Sequence, residues 1–340
     1  MTSILSSIVE FAQSRPLPGL VWGLHYDGQG NVRELAQGEA PAMINEGWYW
    51  FHFGLADNRT HMLLSKLSND AAARFVEIGE ETQQIIFSGE TTYGTIADMQ
   101  RGLDGSRDHS GYMHFIAANN VLITVRRNAL YGAGATRQLV LRGTAIASVE
   151  ALLENIIFQI IDGFDRTIEQ VAEDVDRLED RVIAGIVNDA RARLGASRRT
   201  VVRIHRHLSS LRTMLLRLNR DSNSPAPASF LALAQHVCQY SDQLEHEIAS
   251  LRERSRLLHD EIATMLAEET NRHLQVLSIL TILFIPPSFI AGLFGMNLKG
   301  MLFDNSEHGF LIACLLTVAA SAIVAWLLKR SGIMGRRDYR

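Results

Sequence analysis

Apolar residues follow different rhythms along this chain. Up to about residue 145 they gather in short aromatic and β-branched runs, the composition of strands. These runs are Val21–Tyr26 (VWGLHY), Trp48–Phe53 (WYWFHF), Gln83–Ser88 (QQIIFS), Gly111–Ala118 (GYMHFIAA) and Val121–Arg127 (VLITVRR). Asp27-Gly28 and Gly30-Asn31 mark turns, and Asn119-Asn120 predicts a tight hairpin between the last two strands. Short helical segments are expected at Thr60–Leu67 and Ser68–Phe75. Residues 1–145 therefore predict a mixed α/β domain.

From Ile146 the rhythm becomes helical. Ile168, Val171, Val175, Leu178 and Val182 repeat at spacings of three and four, a heptad seam. The opposite face carries Glu169, Glu173, Asp174, Asp176, Glu179 and Asp180. It is either a solvated helix face or a negative surface that attracts cations. The next helix, about Ser197 to Asn219, is rich in arginine: Arg198, Arg199, Arg203, Arg206, Arg212 and Arg217, with Arg220 beyond it. Acidic neighbours in the same coil are the expected partners, with nucleic acid or lipid contact as the alternative. Ser222–Ser229, with Pro225 and Pro227, reads as a loop. A third helix starts near Ser229 and meets no Pro or Gly before Pro286. Its seam runs through Leu244, Ile248, Leu251, Ser255, Leu258, Ile262, Met265 and Glu269. At 1.5 Å per residue a 60-residue helix is about 90 Å long and cannot bury such a seam alone. Residues 146–272 therefore predict a stalk of bundled long helices.

The last part of the chain, residues 273–340, loses its polar positions altogether. Leu274–Leu298 has no charged residue, and neither has Gly309–Leu328. About 20 apolar residues in a helix cross a bilayer core. Two transmembrane helices follow, over 274–294 and 309–328, joined by a loop over 295–308. Pro286 and Pro287 are expected to kink the first, a distortion that membrane helices tolerate. A basic tail over 329–340 (Lys329, Arg330, Arg336, Arg337, Arg340) marks the cytoplasmic side, and Trp326 suits the interfacial aromatic belt. Both termini then lie in the cytoplasm and the loop faces outward, as expected of a multi-pass protein of the inner (cytoplasmic) membrane. The opposing reading is a pair of buried helices in a soluble core.

Composition changes this picture little. The 340 residues are 47% hydrophobic and 21% charged, and the net charge of −4 argues against nucleic acid as a partner. Met1–Pro16 lacks the basic start and long apolar core of a secretory signal. Two cysteines, Cys238 and Cys314, exclude a disulfide framework. Twelve histidines invite a zinc site, but His205 and His207 point to different faces of a helix. His246, His259 and His273 have no ligand-type neighbour one turn away, apart from Glu269 for His273. No Walker loop or G-x-S-x-G motif is found, so an enzyme is not expected and no cofactor is implied.

The chemistry falls at the end of the first apolar stretch, where Gly295-Met296-Asn297 closes an uncharged helix. The last carbonyls of a helix carry partial negative charge, and Asn297 adds an amide oxygen. A ring of such neutral, hard oxygens from several copies suits a hydrated divalent cation. Helical periodicity places Asn271, Leu274, Ser278, Thr281, Ile285, Ser288 and Gly292 on one stripe, the expected pore stripe if Asn297 faces an axis. Alternatively, the Ser and Thr hydroxyls only satisfy carbonyls of their own helix. Asp304, Glu307 and His308 either draw cations to the outer loop or are solvated loop residues. Lys299 opposes cation entry.

The Gly-Met-Asn triplet after a first C-terminal span, a short second span and a basic tail resembles the CorA superfamily of metal-ion transporters. WYWFHF, LITVRR and the arginine-rich helix before a Pro-containing loop resemble its ZntB-like zinc branch. The resemblance covers nearly the whole chain. It implies an α+β cytoplasmic domain, long stalk helices and two C-terminal transmembrane helices, assembled as a funnel-shaped homopentamer. Gly295, Met296 and Asn297 would form its outer filter, and Asn271, Ser278, Thr281 and Ser288 would line its pore. The implied cargo is Zn²⁺, with Mg²⁺, Co²⁺ or Ni²⁺ as alternatives, and with proton coupling as a property of the zinc branch. The loop LKGMLFDNSEHG carries neither the Met-Pro-Glu of the magnesium branch nor the Gly-Gly-Ile-Pro-like run of the zinc branch. Three readings stand: a zinc or broad divalent-cation transporter, a Mg²⁺/Co²⁺ channel on the same fold, and a membrane-anchored scaffold or sensor.

Overall fold

The computed structural model describes residues 4–36, 38–44, 46–67, 82–89, 91–100, 110–187, 189–218, 228–296 and 308–331. The chain divides into two compact units, Met1–His259 and Asp260–Arg340. Expected features at Ser68–Phe75 and Ser222–Pro227 lie outside the described residues.

The first unit is built on a seven-stranded sheet in the order β2-β1-β3-β7-β6-β5-β4. Its strands are β1 (Leu20–Tyr26), β2 (Val32–Glu34), β3 (Trp48–Gly54), β4 (Gln84–Ser88), β5 (Thr91–Met99), β6 (Ser110–Ala118) and β7 (Val121–Arg126). All neighbours are antiparallel except β3 and β7, which run parallel. Ala118 pairs with Val121, so Asn119-Asn120 forms the expected two-residue hairpin, with Asn119 at φ 39°. Asp27 Oδ1 accepts from the amides of Gln29 and Asn31, which folds the predicted turn between β1 and β2.

Strand β3 explains why WYWFHF has no polar alternation to expose. Successive side chains point to opposite faces, and both faces are covered. Tyr49, Phe51 and Phe53 pack in one cluster with Leu5, Ile8 and Val9 of α1 (Ile4–Ser14) and Leu63 and Leu64 of α2 (Asn58–Leu67). On the other face, Trp48 Nε1 donates to the Ile146 carbonyl at 2.8 Å. Trp50 Nε1 donates to Thr124 Oγ1 at 2.8 Å, and His52 Nδ1 lies 2.7 Å from the same hydroxyl. One hydroxyl has one proton. The Thr124 hydroxyl also has two lone pairs, so it accepts from Trp50 and bonds His52 as well, and burial keeps the His52 ring neutral near pH 7.

Strand β5 is an element that the residue pattern hides. Its sequence TTYGTIADM is mostly polar or small, yet seven of its nine residues are buried. Gly94 explains part of this, since a Cβ there would lie 2.1 Å from the Gln84 carbonyl oxygen of β4. Asp98 explains more. It is wholly buried and accepts from the amides of Met99 at 2.7 Å and Gly132 at 2.8 Å. Gly132 sits in the first turn of α3 (Tyr131–Leu141), whose own N-cap residue, Leu130, provides no side-chain cap. A strand carboxylate thus caps a helix start and meets the positive end of its dipole.

Three long helices complete the unit. Ser148 Oγ accepts from the Ala151 amide and starts α4 (Val149–Ile183). Its seam residues Ile168, Val171, Val175, Leu178 and Val182 are all buried, as the heptad predicts. Helix α5 covers Ala190–Leu218, beginning earlier than the arginine pattern suggests, and α6 covers Ala228–Phe294. Part of the acidic face of α4 is paired rather than merely solvated. Arg254 of α6 reaches both Asp176 and Glu179. Arg212 of α5 pairs with Asp242 of α6 at 2.9 Å. Among the described residues, the ion pairs of the α4 acids come from α6 and from Arg166 and Arg177 within α4.

The second unit holds the remainder of α6 and α7 (Gly309–Arg330). Helix α6 continues through Pro286 and Pro287. Each proline lacks the amide that would bond the carbonyl four residues back, so Ile282 and Leu283 lose their normal helical partners.

Replacing Asp98 with Ala should destabilise the protein by about 3 kcal/mol, since two buried amides lose a charged acceptor. Thermal unfolding of the full chain in detergent measures this. Gly132→Ala should also destabilise, because its Cβ would lie 2.4 Å from Ile160 Cγ1.

Candidate functional site

The apolar segments of α6 and α7 lie bare on the single chain. The most apolar window of α6 is 0% buried and that of α7 is 6% buried. Phe284, Phe289 and Val318 are more than three-fifths exposed, and Phe310 is 85% exposed. A soluble core helix hides its apolar side chains. These helices therefore belong to a lipid environment, and the buried-core reading is set aside.

Within the unit each helix has one half-buried face. On α6 it comprises Ile279, Leu283, Pro286, Pro287 and Ile290. On α7 it includes Ile312, Ala313, Thr317, Ala320, Ser321 and Val324, mostly small residues of the kind that let membrane helices approach closely. Thr317 and Ser321 hydroxyls donate to the carbonyls of Ala313 and Thr317. Their polarity is thus absorbed inside α7.

Asn271, Leu274, Ser278, Thr281, Ile285, Ser288 and Gly292 are all exposed. At about 100° per residue, this stripe is centred roughly 155° from the half-buried face of α6. The stripe is therefore free to meet other copies or water. Thr281 Oγ1 donates to the Leu277 carbonyl at 2.8 Å, so that hydroxyl is also engaged with its own helix. Gly292 stands in open space, with nothing within 4 Å of where a Cβ would be.

The helix ends as the residue pattern expects. The Gly295 amide donates to Ala291 O at 2.9 Å, and the Met296 amide to Leu293 O at 3.3 Å, a tighter final turn. A Cβ on Gly295 would sit 3.0 Å from Ala291 O, so glycine keeps that carbonyl uncrowded. Asn297, Asp304 and Glu307 lie outside the described residues. His308 is exposed and precedes α7 as its N-cap residue without a side-chain cap, and its carbonyl accepts from Ile312 at 3.0 Å. At the other end of α7 the Arg330 guanidinium lies 5.2 Å from the Trp326 ring centroid. The basic flank and the interfacial aromatic residue thus meet each other, a cation–π contact that the sequence positions did not specify.

Among the described residues no three His, Cys, Asp or Glu side chains come together to hold a metal. Several histidines have structural roles instead. His207 is buried, stacks on Phe164 and has Nε2 2.9 Å from Ser110 Oγ. His114 is 2.9 Å from Thr95 Oγ1. Burial lowers the pKa of His52 to about 3, and those of His114 and His207 to about 4, helped by nearby arginines. Neither cysteine is in a disulfide: Cys238 is half-buried and Cys314 is exposed on α7.

The histidine shifts set an acid limit on stability. A group whose folded pKa lies below its ordinary value of about 6.5 binds its proton more readily in the unfolded chain. Stability is then complete above about pH 6.5 and falls as pH drops toward the folded values, by up to about 1.4 kcal/mol per pH unit for each histidine. Denaturant unfolding at a series of pH values should show this slope, and His52→Gln or His207→Gln should flatten it.

A family profile described as "CorA-like Mg2+ transporter protein" matches residues 45–330. The zinc transport protein ZntB of Yersinia enterocolitica is 22% identical over 320 residues, covering 92% of this chain and 95% of that protein. The ZntB of Pectobacterium atrosepticum is 23% identical over 319 residues, with the same coverage. Among solved structures, the CorA magnesium transporter of Methanocaldococcus jannaschii superposes with a TM-score of 0.72 at 19% identity, covering 92% of this chain and 99% of that one. The cytoplasmic domain of ZntB from Vibrio parahaemolyticus matches 73% of this chain and 98% of that one, with a TM-score of 0.58 at 14% identity.

Proposed function

Because the chain belongs to the CorA-like Mg²⁺ transporter family, a family of divalent-cation transporters and not of enzymes, we propose that it carries Zn²⁺ through a pore formed by five copies of itself. One observation carries this reading: the exposed stripe of α6 leads to a helix C-terminus at Gly295-Met296 and lies nearly opposite the half-buried face. One subunit with two spans cannot enclose a water path, so the stripe must face other copies to conduct. Five stripes around an axis would bring Asn271, Ser278, Thr281 and Ser288 to the conduit. Gly295, Met296 and Asn297 would form the outer filter of carbonyl and amide oxygens.

Neutral oxygens replace part of an ion's hydration shell without trapping it. Leu274 and Ile285 on the same stripe supply apolar constrictions between the polar rings. Zinc as cargo rests on curated relatives named zinc transport proteins, matched over almost their full length. In this reading Asp304, Glu307 and His308 draw cations to the outer mouth, and Lys329 and Arg330 hold the C-terminal side in the cytoplasm of an inner-membrane protein. For a passive path, a divalent ion gains about 4.6 kcal/mol on entering at −100 mV, from about 2.3 kcal/mol per charge.

Magnesium transport is the second reading, favoured by the family description and by the superposition on an archaeal magnesium transporter. Metal flux into proteoliposomes separates the two. Zn²⁺ uptake that persists in excess Mg²⁺ supports zinc, and repeating it with an imposed pH difference shows whether protons are coupled. Asn297→Ala should cut flux at least about tenfold or change the ion preference, the loss of one ring of oxygen ligands. Gly292→Leu should block flux while leaving thermal unfolding unchanged, since the position is open on the single chain. Normal flux in both variants would support a membrane-anchored scaffold instead.

A further inference from the structure

Beyond the ion path, the first unit contains a groove of about 680 Å³ between α5 and α6. Arg191 and Arg198 reach it from α5, two turns apart, and Arg252 and Arg256 from α6, one turn apart. Glu253 is its single carboxylate, and it pairs with Arg256 at 2.8 Å. Elsewhere in the helical layer arginines find acids on neighbouring helices, as Arg212 does with Asp242 and Arg254 with Asp176 and Glu179. Among the described residues, no ion pair joins Arg191, Arg198 or Arg252 to a carboxylate. The Arg252 Nε is buried without an acceptor. A buried donor without an acceptor costs free energy, and a charged one costs more.

We propose that this groove is a binding site for a polyphosphate anion. Guanidinium groups match phosphate oxygens in a planar, two-bond geometry, and they do so best where water is partly excluded. Arg191 and Arg198 on one wall and Arg252 on the other can hold an anion with several charges, Arg256 being paired with Glu253, and Arg252 Nε gains the acceptor it lacks. The groove is floored by buried Leu194 and Val201, with Val202 37% exposed at its side. That apolar strip gives an organic phosphate a surface on which its uncharged part can rest. Such a site would let a metabolite act on the helical layer irrespective of which cation is transported.

The test is calorimetric titration of the full chain, in detergent and free of divalent metal, with ATP as the probe. Working without metal keeps the nucleotide from delivering a cation to the ion path. We expect saturable binding of one ATP per chain that weakens as salt is raised. Arg198→Gln and Arg252→Gln should each weaken it about tenfold, the loss of one charged hydrogen-bonding group. Arg254→Gln should leave it within about twofold, since that guanidinium is already committed to Asp176 and Glu179. Thermal unfolding checks that each variant is folded. Absence of saturable binding overturns the proposal, as does equal weakening by Arg254→Gln, which would mean attraction to overall charge. A wild-type protein that ignores ATP, with Arg198→Gln shifting its oligomeric state, would assign the groove to a second copy and overturn it as well.

Discussion

The structure depends on one constraint: two helices carry bare apolar surface that water does not tolerate. Burying such surface is worth about 25 cal/mol per Å², and in the single chain α6 and α7 realise almost none of it. A bilayer supplies the missing environment for most of that surface. It offers no partners to the hydroxyls of Ser278 and Ser288, because hydrocarbon does not hydrogen-bond. In the proposed assembly the same helix meets two surroundings, lipid on some faces and something wetter on one. Around that requirement the family membership, the polar stripe and the carbonyl-rich helix end become a single argument.

The first unit meets its polar burdens internally. His52 and Trp50 share the hydroxyl of Thr124. Asp98 spends its charge on two amides at a helix start. His207 stacks on Phe164 and reaches Ser110. None of these groups is left poised to bind a metal. These side chains hold the layers of the first unit in place, and in the proposed reading the chemistry of transport falls to α6.

Much of this was legible in the residue pattern. The α4 seam follows from periodicity, because burial on one face imposes a period that can be counted, while the strands follow from aromatic and β-branched composition and both spans from uncharged length. Strand β5 was hidden because Thr, Gly and Asp dominate it, and its burial arises from a neighbour's backbone and from α3, both distant in sequence. The start of α5 at Ala190 was missed for a similar reason, since an arginine count says where charge gathers and not where a helix begins. The stripe from Asn271 to Gly292 follows from helical arithmetic alone, whereas the groove beside Arg252 needed two helices in register. Sequence spacing reports neighbours along one element well and neighbours across two elements poorly.

The parallel pairing of β3 with β7 has a consequence for how the sheet assembles. The two strands meet in register from Tyr49 with Val121 to Gly54 with Arg126, across a long intervening stretch of chain. The β6–β7 hairpin closes over two residues, and hairpins form within about 1–10 μs. Strand β3 can pair early with β1, but its other edge has no partner until β7 exists, and closing so long a loop delays that step. During the wait, that edge of WYWFHF keeps its amides and carbonyls unpaired. A chain stalled before β7 arrives would expose that edge to pairing with another chain.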